Sequence, residues 1–132
     1  MKTLADILSR DADNAVITAG SCLRDALKEI DAKKLGAACI TADEKLIGII
    51  TDGDIRRLLL ITQDSLPELF MKSVDTFMNR DPVRINQKES LESCLGLLKK
   101  HRFWVLPVAD DEDRLVGMIQ LHNLLAALEG SS

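Results

Sequence analysis

Leu35-Gly36-Ala37-Ala38-Cys39-Ile40, followed by Leu46-Ile47-Gly48-Ile49-Ile50, returns later in altered form. The second version is Phe103-Trp104-Val105-Leu106-Pro107-Val108, followed by Leu115-Val116-Gly117-Met118-Ile119. The offset is 68 from Leu35 to Phe103 and 69 from Leu46 to Leu115, so the second loop carries one extra residue. Short apolar runs joined by a charged connection predict strand pairs. Upstream of each, Leu23, Ala26, Leu27 and Ile30 match Leu91, Cys94, Leu95 and Leu98. Both sets follow the i, i+3, i+4, i+7 spacing of a helix with one buried face. A duplication of this length decides how the chain is read.

Each repeat therefore reads strand, helix, strand, strand, helix, an α/β unit. The first strands are expected at 15–17 and 83–85. The closing helices are expected at 54–61 and 122–128. Ser21 and Ser90 are plausible helix caps, and Lys33-Lys34 and Lys99-Lys100 suit the negative helix ends. Ser65-Leu66-Pro67-Glu68 has the capping-box pattern with an early Pro, which predicts a linker helix over 67–78. Leu4, Ile7 and Leu8 are expected as a lead-in to the first repeat. The division expected is repeat one at 1–62, linker at 63–78 and repeat two at 79–132. Neither repeat of a 132-residue chain buries enough surface alone, so the two should pack as a pseudo-two-fold pair.

Composition narrows the function. Hydrophobic residues make up 46% and charged residues 29%, with a net charge of −4, which fits a soluble globular protein. The few basic doublets are scattered, which argues against nucleic-acid binding. No apolar run approaches the roughly 18 residues of a membrane span. The opening residues lack the apolar stretch of a signal peptide, and the expected location is the cytoplasm. Cys22, Cys39 and Cys94 are odd in number and widely spaced, so buried reduced thiols are the plain reading. Clustered Cys and His for a metal are lacking.

Chemistry concentrates in Gly48-Ile49-Ile50-Thr51-Asp52-Gly53-Asp54-Ile55-Arg56-Arg57. A strand ends in a hydroxyl, a Gly turn follows, and an acid stands at a helix start. Unpaired N–H groups at that start suit a phosphate. Thr51 can donate to a phosphate or ribose oxygen, and Asp54 can accept from two ribose hydroxyls. Arg56 and Arg57 can offset the acid and contact phosphate. The bland alternative is an ordinary Asp-Gly turn with Asp54 as a helix cap. In the second copy Gln120, His122 and Asn123 occupy the corresponding positions. Asn123 has one carbonyl oxygen and no charge, so this site is expected to be weaker, differently selective or empty. His101 and His122 have no visible acid–base partner, and no catalytic residue is assigned. Trp104 reads as core or interface before it reads as a stacking platform.

A strand ending in Gly-Ile-Ile-Thr-Asp-Gly-Asp inside a duplicated strand-helix-strand-strand-helix unit resembles the CBS domain, as a tandem pair over almost the whole chain. The resemblance implies a ligand in a cleft between repeats, with Thr51 and Asp54 holding phosphate and ribose. The ligand-contacting set read on this basis is Ile17, Gly36, Ala37, Thr51, Asp54 and Arg56, with Gln120, His122 and Asn123 in the second copy. The string Thr-Asp-Gly-Asp-Ile-Arg-Arg, with Leu121-His122-Asn123-Leu124-Leu125, is also similar to the regulatory end of the arabinose-5-phosphate isomerase family. That family usually has His-Asp where this chain has His122-Asn123. Sugar nucleotidyltransferases with CBS pairs carry a similar string. The resemblance thus implies a non-catalytic sensor without a cofactor. It would answer to AMP, ADP or ATP, or to a pathway product such as CMP-Kdo. It would act on a sugar-isomerase domain in cis, within lipopolysaccharide biosynthesis. The alternative is a structural module that holds oligomers together. A homodimer is expected in either case, through Leu58, Leu59, Leu124 and Leu125.

Overall fold

The computed structural model describes residues 2–8 and 13–130. The chain forms two compact units, each an α/β assembly around a three-stranded sheet. This is the duplicated architecture expected from the sequence.

The unit of Ala15–Pro82 contains β1 (Val16–Thr18), α1 (Leu23–Lys33), β2 (Ala37–Ala42), β3 (Lys45–Thr51), α2 (Asp52–Ile61) and α3 (Leu66–Met71). Its sheet order is β1-β2-β3, with β1 parallel and β3 antiparallel to β2. Asp43 and Glu44 both have positive φ, as a two-residue hairpin turn requires. Leu23, Ala26 and Ile30 form the buried face of α1, and Ile40 and Ile50 are fully buried.

The second unit contains β4 (Ile85–Asn86), α4 (Leu91–His101), β5 (Val105–Ala109), β6 (Leu115–Gln120) and α5 (Leu121–Glu129). Its sheet repeats the first, in order β4-β5-β6. Both long helices close on a left-handed residue, Lys34 and Arg102, each at φ 58°. Strand β4 is shorter than β1, and a proline explains it. In the first unit Cys39 N–H donates to Ala15 at 2.8 Å, extending the β1–β2 pairing. The matching residue is Pro107, which has no N–H to donate. Pairing begins only at Ile85↔Val108.

The lead-in expected to serve repeat one belongs instead with the second repeat, because the second unit joins residues up to Asn14 to Val83 onward. Leu4 is fully buried among Ile85, Leu91, Cys94, Leu98 and Leu106. Thr3 bridges Ser90, and Leu4 N–H donates to Glu89 at 3.2 Å. The first unit takes its own cover from the linker. Ser73 bridges Cys22, and Val74, also fully buried, donates to Ser21 at 2.8 Å.

This pairing also breaks the linker helix expected over 67–78. Helix α3 ends at Met71, Lys72 and Ser73 are extended, and a 3-10 turn follows at Val74–Thr76. Extended backbone lets Lys72 accept from Leu23, which a continuous helix would forbid. Only half of the expected capping box forms here, with Ser65 Oγ accepting from Glu68. Glycine at 48 and 117 follows from the same cover. Met78 and the Asn79 carbonyl lie over Gly48, and Leu8 lies over Gly117.

Cap positions also differ in detail. Cys22, not Ser21, precedes α1, and its N–H and Sγ both donate to Asp25 Oδ2 at 3.3 Å. Cys22 is therefore half-buried, while Cys39 and Cys94 are fully buried. Burial pushes the Cys39 thiol up to about 12 and the Cys94 thiol up to about 11. A raised pKa leaves almost no thiolate, the reactive form, near pH 8. Brief iodoacetamide labelling of the folded chain at pH 8 is expected to modify Cys22 first, read by peptide mass spectrometry. Equal labelling at Cys39 or Cys94 would contradict this packing.

The acidic run at the β5–β6 turn is neutralised locally. Arg84 holds Asp113 at 2.6 Å, Lys88 holds Asp111 at 2.5 Å, and Arg114 holds Asp110 at 2.8 Å. The hydrogen bond from Lys88, then that from Asn86, lowers the Asp111 pKa. Burial raises Asp110, but hydrogen bonds from Arg114 and the Glu112 amide outweigh it and the net shift is downward. Among the described residues no group of three His, Cys, Asp or Glu is placed to hold a metal ion. Among them, no helix is long and apolar enough to cross a membrane.

Candidate ligand-binding site

The end of β3 and the start of α2 bring Thr51, Asp54 and Arg56 together with Gly36 and Ala37 at the entry of β2. Ala37 on β2 pairs with Thr51 on β3. Asp52 N–H donates to the Gly36 carbonyl at 2.9 Å, tying the entry of β2 to the head of α2. Gly36 has φ +75°, a left-handed conformation suited to glycine, and a Cβ there would meet Asp52 Oδ2. Ala37 is buried, and Gly36, Thr51 and Asp54 are half-buried.

Helix α2 begins two residues earlier than expected, at Asp52. Thr51 is its cap, not Asp54. Thr51 Oγ1 accepts from Asp54 N–H at 3.1 Å, and Asp54 Oδ2 accepts from Thr51 N–H at 2.9 Å. This reciprocal pair satisfies two otherwise orphaned donors and fixes both side chains. Asp54 Oδ1 accepts from Arg57 Nη2 at 2.6 Å.

Gly53 lies beside this pair. A Cβ built on it would stand 3.4 Å from Arg57 Nη1, 3.7 Å from Thr51 Oγ1 and 3.8 Å from Arg56 Nη2. Two guanidiniums and a hydroxyl thus lie around Gly53 on the first helical turn. A carboxylate that can accept from hydroxyls lies one residue away. Arg56, expected in the site, brings its Nη2 to this group of atoms. Ile17 does not join the cluster directly, because it pairs with Ile40, three residues along β2 from Ala37. At the strand rise this is about 10 Å away. Of the two arginines expected to offset the acid, it is Arg57 that closes on Asp54, and Arg57 is absent from the predicted ligand-contacting set, although its i, i+3 spacing from Asp54 on a helix was available as a signal.

The second copy keeps the scaffold without the hydroxyl–carboxylate pair. Val105 pairs with Gln120, and Leu121 N–H donates to the Trp104 carbonyl at 2.8 Å, matching Asp52 and Gly36. Gln120 precedes α5 but makes no side-chain cap. His122 is exposed and Asn123 half-buried. No counterpart of the Thr51–Asp54 pair forms among these residues. Trp104 is 78% exposed, so it is not a core residue. The His101 ring stacks on Phe103, with centroids 5.1 Å apart.

A sheet-and-helix unit used twice, with a hydroxyl–carboxylate pair at one helix head, defines a tandem ligand-binding repeat protein. The chain belongs to the CBS domain family, whose pattern matches residues 4–61 and 72–130. Arabinose 5-phosphate isomerase KdsD of Yersinia pestis is 32% identical over 125 residues, which cover 94% of this chain and 37% of that protein. The chain thus spans little more than a third of that relative. CBSX2 of Arabidopsis thaliana, solved in complex with AMP, superposes with a TM-score of 0.83 at 25% identity over the whole of both chains. A CBS domain pair/ACT domain protein of Thermotoga maritima has the same fold, with a TM-score of 0.79 at 19% identity over 98% of each chain. A tandem CBS pair is a regulatory ligand-binding module.

Proposed function

We propose that this chain senses an adenine nucleotide and regulates an arabinose-5-phosphate isomerase domain on the same polypeptide in the cytoplasm. The observation that carries the ligand class is the fixed Thr51–Asp54 pair with the Arg56 and Arg57 guanidiniums near Gly53 beside it. The carboxylate suits the two hydroxyls of a ribose, and the hydroxyl and guanidiniums suit a phosphate. The AMP complex of CBSX2 supports the choice of nucleotide. The relative in Yersinia pestis supports the choice of enzyme. A ligand that binds two arrangements of the attached enzyme unequally would shift its activity. The chain itself is assigned no catalytic step.

Calorimetry with AMP, ADP, ATP and CMP-Kdo, on the unmutated chain and on Asp54→Ala, tests this. Losing hydrogen bonds to a charged group weakens binding by roughly 10–100-fold. The expected result is AMP binding that falls by that much in Asp54→Ala. Binding of CMP-Kdo alone would redirect the ligand to a cytidylyl sugar. Absence of all binding, or AMP binding indifferent to Asp54, would sink the reading.

A second reading, self-association, rests on exposed apolar side chains. Leu59 is 46% exposed and Leu125 42% exposed. Leu124, expected on this surface, is fully buried in the core, and Leu58 is half-buried. Sedimentation of Leu59→Glu and Leu125→Glu checks it, with monomers expected if these side chains hold a dimer.

A further inference from the structure

We propose that residues 99–104 form a docking surface for an anionic lipid bilayer. The run is Lys99-Lys100-His101-Arg102-Phe103-Trp104, which sets three fixed cations beside two aromatic side chains. It covers the last turn of α4 and the bend into β5. Lys99, Lys100 and Arg102 are exposed, and none of them forms an ion pair among the described residues. The acidic turn at the other end of β5 has its own cations, Arg84, Lys88 and Arg114. Phe103 is 39% exposed and Trp104 78%. The stack with His101 fixes one of the two aromatic rings at this end of the helix.

The fold does not call for these residues. The first repeat makes the same bend, from α1 through a left-handed Lys34 into β2. There Leu35 and Gly36 stand in place of Phe103 and Trp104. Leu35 is buried and Gly36 has no side chain, whereas both aromatics of the second repeat are exposed. Cations at a helix C-terminus suit its dipole, and the first repeat has Lys33 and Lys34 for that. A third cation and two exposed aromatics need another reason.

Unpaired cations call for an anionic partner. Aromatic rings beside Lys and Arg are the composition of a membrane interface, where rings enter the headgroup boundary and cations meet anionic lipid. Single-stranded nucleic acid needs a basic groove with successive stacking rings. A stable protein interface takes about 20–30 residues a side. Six residues supply neither. Adhesion to a bilayer has no such minimum, because each cation adds about five-fold in affinity by itself. The mode is peripheral, since among the described residues no helix is long and apolar enough to cross a membrane.

Trp104 is the only tryptophan of the chain, and tyrosine is absent. Intrinsic fluorescence of the full chain therefore reports on this position alone. With vesicles of phosphatidylcholine and phosphatidylserine, the emission is expected to shift to shorter wavelength and to return when salt is added. Vesicles of phosphatidylcholine alone should leave it unchanged. In Lys99→Gln/Lys100→Gln, partitioning onto the mixed vesicles should fall about 25-fold. Trp104→Gly, which carries the residue of the first repeat, should float with the mixed vesicles less than the unmutated chain.

No shift with phosphatidylserine would overturn the proposal. So would an equal shift with phosphatidylcholine alone, or a double variant that binds as the unmutated chain does. A shift with polyglutamate or single-stranded DNA, and none with vesicles, would assign the run to a protein or nucleic-acid partner and overturn the lipid assignment.

Discussion

Leu4→Ala is expected to destabilise residues 83–130 by about 3 kcal/mol, while the unit that follows it directly in sequence stays intact. The magnitude is that of a leucine-to-alanine change in a packed core. Leu4 is fully buried and shares its cluster with Leu91, Leu98, Leu106, Val108, Ile119 and Leu124. The three carbons removed leave a cavity between α4 and the β5–β6 sheet, and the surrounding backbone is pinned. Leu4 N–H is held by Glu89 and Ala5 N–H by Gln87, so the segment cannot slide inward to fill the gap. Hydrogen exchange read by mass spectrometry separates the two units, because local stability differs between cooperative blocks. Peptides spanning 91–109 should exchange faster, and peptides spanning 37–51 should not. Faster exchange in 37–51 alone would show that the lead-in covers its own repeat after all.

Gly48→Ala should cost about 2 kcal/mol, and the matching change Gly117→Ala should cost well under half of that. Both positions are the middle of a sheet strand covered by a lead-in segment. At Gly48 a Cβ would overlap Met78 at Sδ and Cγ and press on the Asn79 carbonyl at 3.2 Å. That carbonyl is fixed, since Asn79 and Ile49 exchange hydrogen bonds at 2.8 and 3.0 Å. At Gly117 the obstacle is the tip of Leu8, at 3.1 Å, which can rotate away. Urea melts of the two variants give the comparison. Equal losses would mean that Leu8 is as rigid as the Asn79 backbone.

What could be read in advance followed from periodicity. The helical stripes of α1 and α4, the paired strands and Thr51 at the end of β3 were legible because each depends on neighbours within a few residues. The cover exchanged between the halves depends on contacts about 90 residues apart, as between Thr3 and Ser90. Its trace was still present: Thr3-Leu4 recurs as Ser73-Val74, and Leu8 as Met78, at an offset of 70. The break in the linker at Lys72 was not legible, because the hydrogen bonds to Leu23 and Ser21 outweigh a locally helical pattern. At the site, residue identities named Thr51, Asp54 and Arg56. They did not show which side chain would cap the helix or which arginine would close on the acid. Those choices rest on side-chain reach within the first turn of α2.

The lead-in that crosses to the far half makes the chain an insertion in topology. Residues 15–82 are continuous and interrupt a second body whose own halves are severed from one another. During synthesis the interrupted body cannot close until its last strands have emerged, whereas the inserted one can fold earlier.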